Sequence, residues 1–185
     1  GISNVVASGG TALTINQIRL LHRFTENITL LYDGDKAGIK AALRGIDMML
    51  KEGLNVRIIL LPEGEDPDSF ARKHNASDLQ AYLDNNTQDF IQFKTKLLSE
   101  DAQNDPTKRS EMILQIVKSI AIIPDVIKRQ VYIKDTSTML GITEDVLVRK
   151  VFEIRKNGLG EDKGAPIAPE PPGVAITDKY FFCIC

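Results

Sequence analysis

Cysteine is nearly absent from this 185-residue chain: the only two, Cys183 and Cys185, stand one residue apart at its end. They are too close for an ordinary structural bridge and too few for a zinc site, so a reducing, cytoplasmic setting is the default. Long apolar runs are also missing. No stretch approaches the roughly 18 residues of a membrane span, and none reads as a signal peptide, so no membrane partner is expected. An excess of either charge is lacking too, the formal net charge being -2. That argues against a freestanding nucleic-acid binder, which would usually be strongly basic. His22 and His74 fall in helical patterns and read as surface or boundary residues, and no internal repeat is visible. What remains, at 43% apolar and 26% charged residues, is the composition of an ordinary globular chain able to bury a core.

The first part of the sequence alternates strand-like and helical patterns. "VVAS" and the apolar runs "ITLLYD" and "VRIILLP" read as strands. Between them, "LTINQIRLLHRF", with Thr14 as its N-cap, and "KAGIKAALRGIDMMLKEG", closed by Gly53, have helical spacing. Strands that are apolar throughout are buried on both faces, and the intervening helices make the sheet parallel. From about Asp66 onward the pattern is helical only. Helices are expected near residues 67–74, 77–84, 88–100, 106–122, 125–139 and 144–156, with Asp105-Pro106 and Thr143 as start signals. The expected domains are residues 1–75, α/β; 76–157, all-α; and 158–185, a linker with four prolines leading into a following region. The chain opens without Met and stops in the apolar "KYFFCIC", as a piece of a longer polypeptide would.

Chemistry in parallel sheets gathers at the carboxyl ends of the strands. Asp33 and Asp35 lie at one such end around Gly34, and Glu63, Glu65, Asp66 and Asp68 follow another. Residues two apart in a strand point the same way, about 6.6 Å apart. Two metal ions in a phosphoryl-transfer site sit about 3.5–4 Å apart, so carboxylates at that spacing can share or flank them. Two like charges at 4 Å repel by about 1 kcal/mol in water and about 4 kcal/mol at an effective dielectric of 20. A divalent cation removes that cost, and hard oxygen ligands suit Mg²⁺ or Mn²⁺. Gly34 leaves room for a phosphate or ion near the backbone. Gly38, Ala41 and Ala42 let the next helix pack close, its positive N-terminus toward the site. Two plainer readings stand beside this one: Asp66 before Pro67 is also an ideal N-cap, and Glu63 and Glu65 can be solvated loop charges.

In order, "VVASGGTALT", "DGDKAG" and "LPEGEDPDS" resemble the later half of the Toprim catalytic core of bacterial replicative, DnaG-type primases. The resemblance continues through the helical subdomain and covers residues 4–156. It implies a Rossmann-like, Toprim-like α/β fold, truncated at its N-terminus and followed by an all-α subdomain. It further implies an RNA polymerase that makes short primers on single-stranded DNA from ribonucleoside triphosphates. Asp33, Asp35, Asp66 and Asp68 would then hold the divalent ions, with Asp33 and Asp35 catalytic. Gly10, Thr11, Thr14, Gly34, Lys36 and Gly38 would line the nucleotide pocket. Gly9-Gly10 departs from the larger residue that relatives commonly carry first. The resemblance also places a strand ending in a catalytic glutamate, the template-gripping region and a zinc-binding domain upstream. The replicative helicase would bind through a C-terminal domain beyond this chain. The piece by itself is therefore expected to have little polymerase activity, and a sheet edge bared by the missing strand would invite a second chain. Two alternatives are a docking bundle over residues 88–156 with a vestigial acidic site, and a phosphatase-like hydrolase with Asp33 as nucleophile and Asp35 as acid/base.

Overall fold

Tyr32 and Leu60 close the two central strands of a parallel sheet, side by side and in register. The computed structural model describes residues 5–7, 13–32, 36–62, 64–102, 105–158 and 181–184. Two compact units are present: Gly1–Phe93 together with Ile176–Cys185, and Lys94–Ala175.

The first unit begins with β1 (Val5–Ala7), α1 (Ile15–His22), β2 (Asn27–Tyr32), α2 (Lys36–Lys51) and β3 (Asn55–Leu60). All but the first residue of β2 are buried, and Val56, Ile58 and Ile59 of β3 are as well. This is the two-face burial that apolar runs predict. Thr14 caps α1 as expected: its hydroxyl accepts from the Gln17 amide, and the Gln17 side chain accepts from the Thr14 amide at 2.8 Å. Helix α2 ends in a turn at Gly53, whose φ of +89° suits a residue without Cβ. Next come α3 (Pro67–Lys73), α4 (Ala76–Asn86), a two-residue β4 (Gln88–Asp89) and the start of α5 (Phe90–Ala102). Strand β4 pairs antiparallel with β3, so the sheet is mixed at that margin.

The fifth strand, β5 (Phe181–Ile184), lies between β1 and β2, parallel to both, in the order β1-β5-β2-β3-β4. Residues 181–184, expected to follow a linker, pair within this sheet. The two compact units divide between Phe93 and Lys94.

The second unit holds the rest of α5, then α6 (Pro106–Ala121), α7 (Val126–Leu140) and α8 (Glu144–Gly158). Asp105 and Asp125 cap α6 and α7 through backbone amides of their first turns. The core is built from Met112, Ile116, Val117 and Ile120 of α6, Ile133 and Leu140 of α7, and Leu147 and Val151 of α8. Two arginines close the end of α6. Arg155 donates to the carbonyls of Ala121 and Ile123, and Arg129 to those of Ile123 and Pro124. Cations suit the partial negative charge of a helix C-terminus. Burial, and then the neighbouring Arg155, hold Arg129 below the usual guanidinium value.

Candidate metal and nucleotide site at the carboxyl edge of the sheet

The ladder between β2 and β3 runs to its last residues, and the Leu61 amide still donates to the Tyr32 carbonyl at 3.0 Å. The carboxyl ends of β2 and β3 therefore lie side by side. In sequence they are followed by Asp33-Gly34-Asp35 and by the acidic segment that ends at Asp68. β1 is parallel to β5 and β5 to β2, so the carboxyl end of β1 points the same way. Asp33, Gly34 and Asp35, like Gly10, Thr11 and Glu63, lie outside the described residues. Lys36 and Gly38 fall in the first turn of α2, and Thr14 is the cap of α1.

The second acidic segment is described almost completely. A turn brings the Glu65 amide to the Pro62 carbonyl at 3.1 Å, with Gly64 at φ +81° inside it. Asp66 then caps α3 in a reciprocal box. Its Oδ1 accepts from the Ser69 amide at 2.7 Å, and its own amide donates to Ser69 Oγ at 3.1 Å. Pro67 occupies the first helical position, where its missing N–H costs nothing. The capping reading of Asp66 is thus correct as far as it goes; a cap through one oxygen is compatible with cation binding.

Its acidic neighbours are engaged differently. Glu65 accepts from the Ser69 hydroxyl at 2.7 Å and ion-pairs with Lys73. The Lys73 and Ser69 hydrogen bonds hold its carboxyl below the ordinary glutamate value. Asp68 pairs with Arg72 one turn on, at 2.9 Å and 3.2 Å, and its side chain is 72% exposed. Residues two apart near a helix start do not face one another. The Asp66 carboxylate folds back over its first turn, while that of Asp68 reaches along the helix to Arg72.

This donor set can be tested against a hard divalent cation. Carboxylate oxygens are the right chemistry. Glu65 is already neutralised by a lysine, which argues against it as a ligand. Asp68 would have to leave Arg72, but an exposed pair is worth only about 0–1 kcal/mol, so that is cheap. Among the described residues no group of three or more His, Cys, Asp or Glu is set to hold a metal. Asp66 and Asp68 fit as part of a cation site that Asp33 and Asp35 would have to complete.

Residues that the sequence reading did not single out hold this edge in place. Phe70 of α3 is buried with Leu31, Ile59, Leu61 and Leu83. It lies 4.7 Å from the Tyr82 ring, centroid to centroid. The Tyr82 hydroxyl donates to the Leu60 carbonyl at 2.9 Å, tying α4 to the end of β3, and its burial raises the phenol's pKa. Ser69 could have been found from the Asp-x-x-Ser spacing of a capping box. Tyr82 carries no such local signal, because its partner is 22 residues away.

Comparison with known proteins adds an independent line. A family described as Toprim-like matches residues 1–71, and one described as the DnaB-helicase binding domain of primase matches residues 92–145. A curated DNA primase of Clostridium acetobutylicum is 37% identical over 167 residues, covering 88% of this chain and 27% of the relative. A solved structure of the DnaG catalytic core superposes with a TM-score of 0.67 at 30% identity, over 80% of this chain and 48% of that one. A DnaG primase catalytic domain bound to single-stranded DNA gives 0.61 at 27% identity, over 71% and 43%. The chain spans 27% to 30% of the length of the first curated relatives it matches.

Proposed function

The chain belongs to the bacterial DnaG-type DNA primases as a fragment of one, and from that premise we propose that it carries the acidic part of the primer-synthesis site of its parent protein. The observation that carries this reading is the shared carboxyl edge, where the segment following Tyr32 and the one ending at Asp68 leave adjacent, in-register strands. Asp33, Asp35, Asp66 and Asp68 are the residues that would hold a divalent cation, Mg²⁺ or Mn²⁺. When bound, that cation would neutralise the incoming triphosphate and favour ionisation of the primer 3′-hydroxyl. The chain's own groups supply the rest. The first turn of α2, with Lys36 and Gly38, offers backbone amides and a helix N-terminus to phosphate oxygens. Thr14 caps α1, the helix that follows β1, and Gly10 and Thr11 precede it in sequence. Asp66 holds α3 in place while presenting its carboxylate.

Single-stranded DNA and ribonucleoside triphosphates are the substrates on this reading. The replicative helicase is a partner on this reading, and the match of residues 92–145 to the DnaB-helicase binding domain of primase supports a contact made by the chain itself. On α7, Val126, Ile127 and Val131 are more than half exposed, as a helix that docks a partner through apolar residues would be. No described helix is long and apolar enough to cross a membrane.

The test is primer synthesis by the parent protein on single-stranded DNA with Mg²⁺. Asp33→Asn and Asp35→Asn should each abolish primers while leaving the melting curve in place. Primers made at the wild-type rate by either variant would overturn the proposal.

A further inference from the structure

One end of the second unit gathers the last turns of α6 and α8 and the first turn of α7, and it carries more positive charge than those helix ends need. Arg129 of α7 and Arg155 of α8 both donate through Nη1 to the Ile123 carbonyl, at 2.6 Å and 3.3 Å, which brings the two guanidiniums together. The other Nη1 bonds go to the carbonyls of Pro124 and Ala121. Among the described residues, the Nε and Nη2 groups of both arginines make no hydrogen bond, and neither arginine has a carboxylate within ion-pair distance. The acids near them in sequence are engaged elsewhere: Asp125 caps α7, and Glu153 pairs with Lys150 at 3.0 Å. A helix C-terminus offers about half a negative charge, so two full positive charges at the end of α6 leave a surplus. Arg155 accordingly helps to hold Arg129 below its usual value, and Asp125 opposes this.

We propose that Arg129 and Arg155 form a site for the phosphate backbone of single-stranded nucleic acid, with Phe152 as the platform for an adjoining base. A phosphate oxyanion accepts from the forked N–H groups of guanidinium and relieves the repulsion between two of them. An acidic peptide would satisfy the arginines as well; the ring decides between the two. Phe152 is 67% exposed and stands three residues before Arg155, hence beside it on the helix surface. A bare aromatic face next to cations is what stacks a base while the backbone is held. The site lies wholly within the second unit, so it does not rest on the acidic edge of the sheet.

The test is a titration of the whole chain with a short oligothymidylate at low salt, followed by the arginine Nε–H and backbone amide resonances. Arg129, Phe152 and Arg155 should shift saturably, and log Kd should vary linearly with log salt. Each phosphate contact on a single strand contributes about 0.7 to that slope, so Arg129→Gln combined with Arg155→Gln should lower it by about 1.4. Lysine at both positions keeps the charge and should keep most of the slope. Phe152→Ala should weaken binding at least about fivefold and Phe152→Tyr leave it intact. Being an exposed position, Phe152 carries the test alone if the double glutamine variant fails to fold. No saturable shift of these resonances, or wild-type binding by either the folded double glutamine variant or Phe152→Ala, would overturn the proposal. A glutamate-rich peptide that shifts the same resonances more tightly and ignores Phe152→Ala would overturn it in favour of an acidic protein partner.

Discussion

Asp66 caps α3, and the proposed function would also make it a cation ligand; one pair of substitutions separates the two roles. As a cap it needs only an acceptor oxygen at Oδ1, which asparagine also provides; as a cation ligand it needs negative charge. Replacing an N-cap Asp by Ala costs about 1 kcal/mol, with a range of about 0.5–2, whereas Asn ranks with Asp. The loss is not confined to seven residues of helix, because α3 carries buried Phe70 into the cluster with Leu31, Ile59, Leu61 and Leu83. For a chain of this size, 1 kcal/mol lowers the melting temperature by about 2–4 °C. In EDTA, Asp66→Asn should therefore melt within about 1 °C of wild type and Asp66→Ala about 2–4 °C lower. In Mn²⁺ at 100 times its Kd, wild type should gain about 2.7 kcal/mol, and both variants should need markedly more metal for the same gain. Thermal melts followed by far-ultraviolet dichroism read both effects. If Asp66→Asn falls as far as Asp66→Ala without metal, the capping argument is wrong. If it gains as much as wild type at the same Mn²⁺ concentration, Asp66 is not a ligand.

Two further outcomes follow from the same structure. The Thr136 hydroxyl is fully buried in α7 with no hydrogen-bond partner among the described residues, none of which therefore offsets its desolvation. Thr136→Val keeps the shape and should raise stability by about 1 kcal/mol, read as a higher urea midpoint at unchanged slope; a lower midpoint would refute the assignment. The Glu65 carboxyl is held below its ordinary value by Lys73 and Ser69, so its ionised form favours the folded state. That contribution is complete above the ordinary glutamate value and is lost as pH falls through the depressed folded value. Lys73→Met should accordingly flatten the acid side of the stability profile, below about pH 4.5, and leave the slope near neutrality unchanged. An unaltered acid limb in urea titrations would show that the pair contributes nothing there.

Much of this protein was legible in its sequence because the relevant signals are local. Apolar runs of strand length gave β2 and β3, helical spacing gave α1 and α2, and Asp105-Pro106 and Thr14 marked helix starts within a residue of where they fall. The order of the acidic segments was enough to identify the family. Asp66 as a cap and Asp68 with Arg72 at i,i+4 are equally local. What sequence could not decide were pairings between distant parts of the chain. "FFCI" is four apolar residues after a proline-rich stretch, and whether it becomes a strand depends on an open ladder between Val5–Ala7 and Ile28–Leu31. The Tyr82 hydroxyl reaches Leu60 only because α4 packs beside β3. Local propensity and capping depend on neighbours within a turn or a strand, so the sequence alone determined β2, β3 and most of the helices. Strand order and shared edges depend on which unsatisfied backbone groups meet in space, and only the tertiary structure settled those.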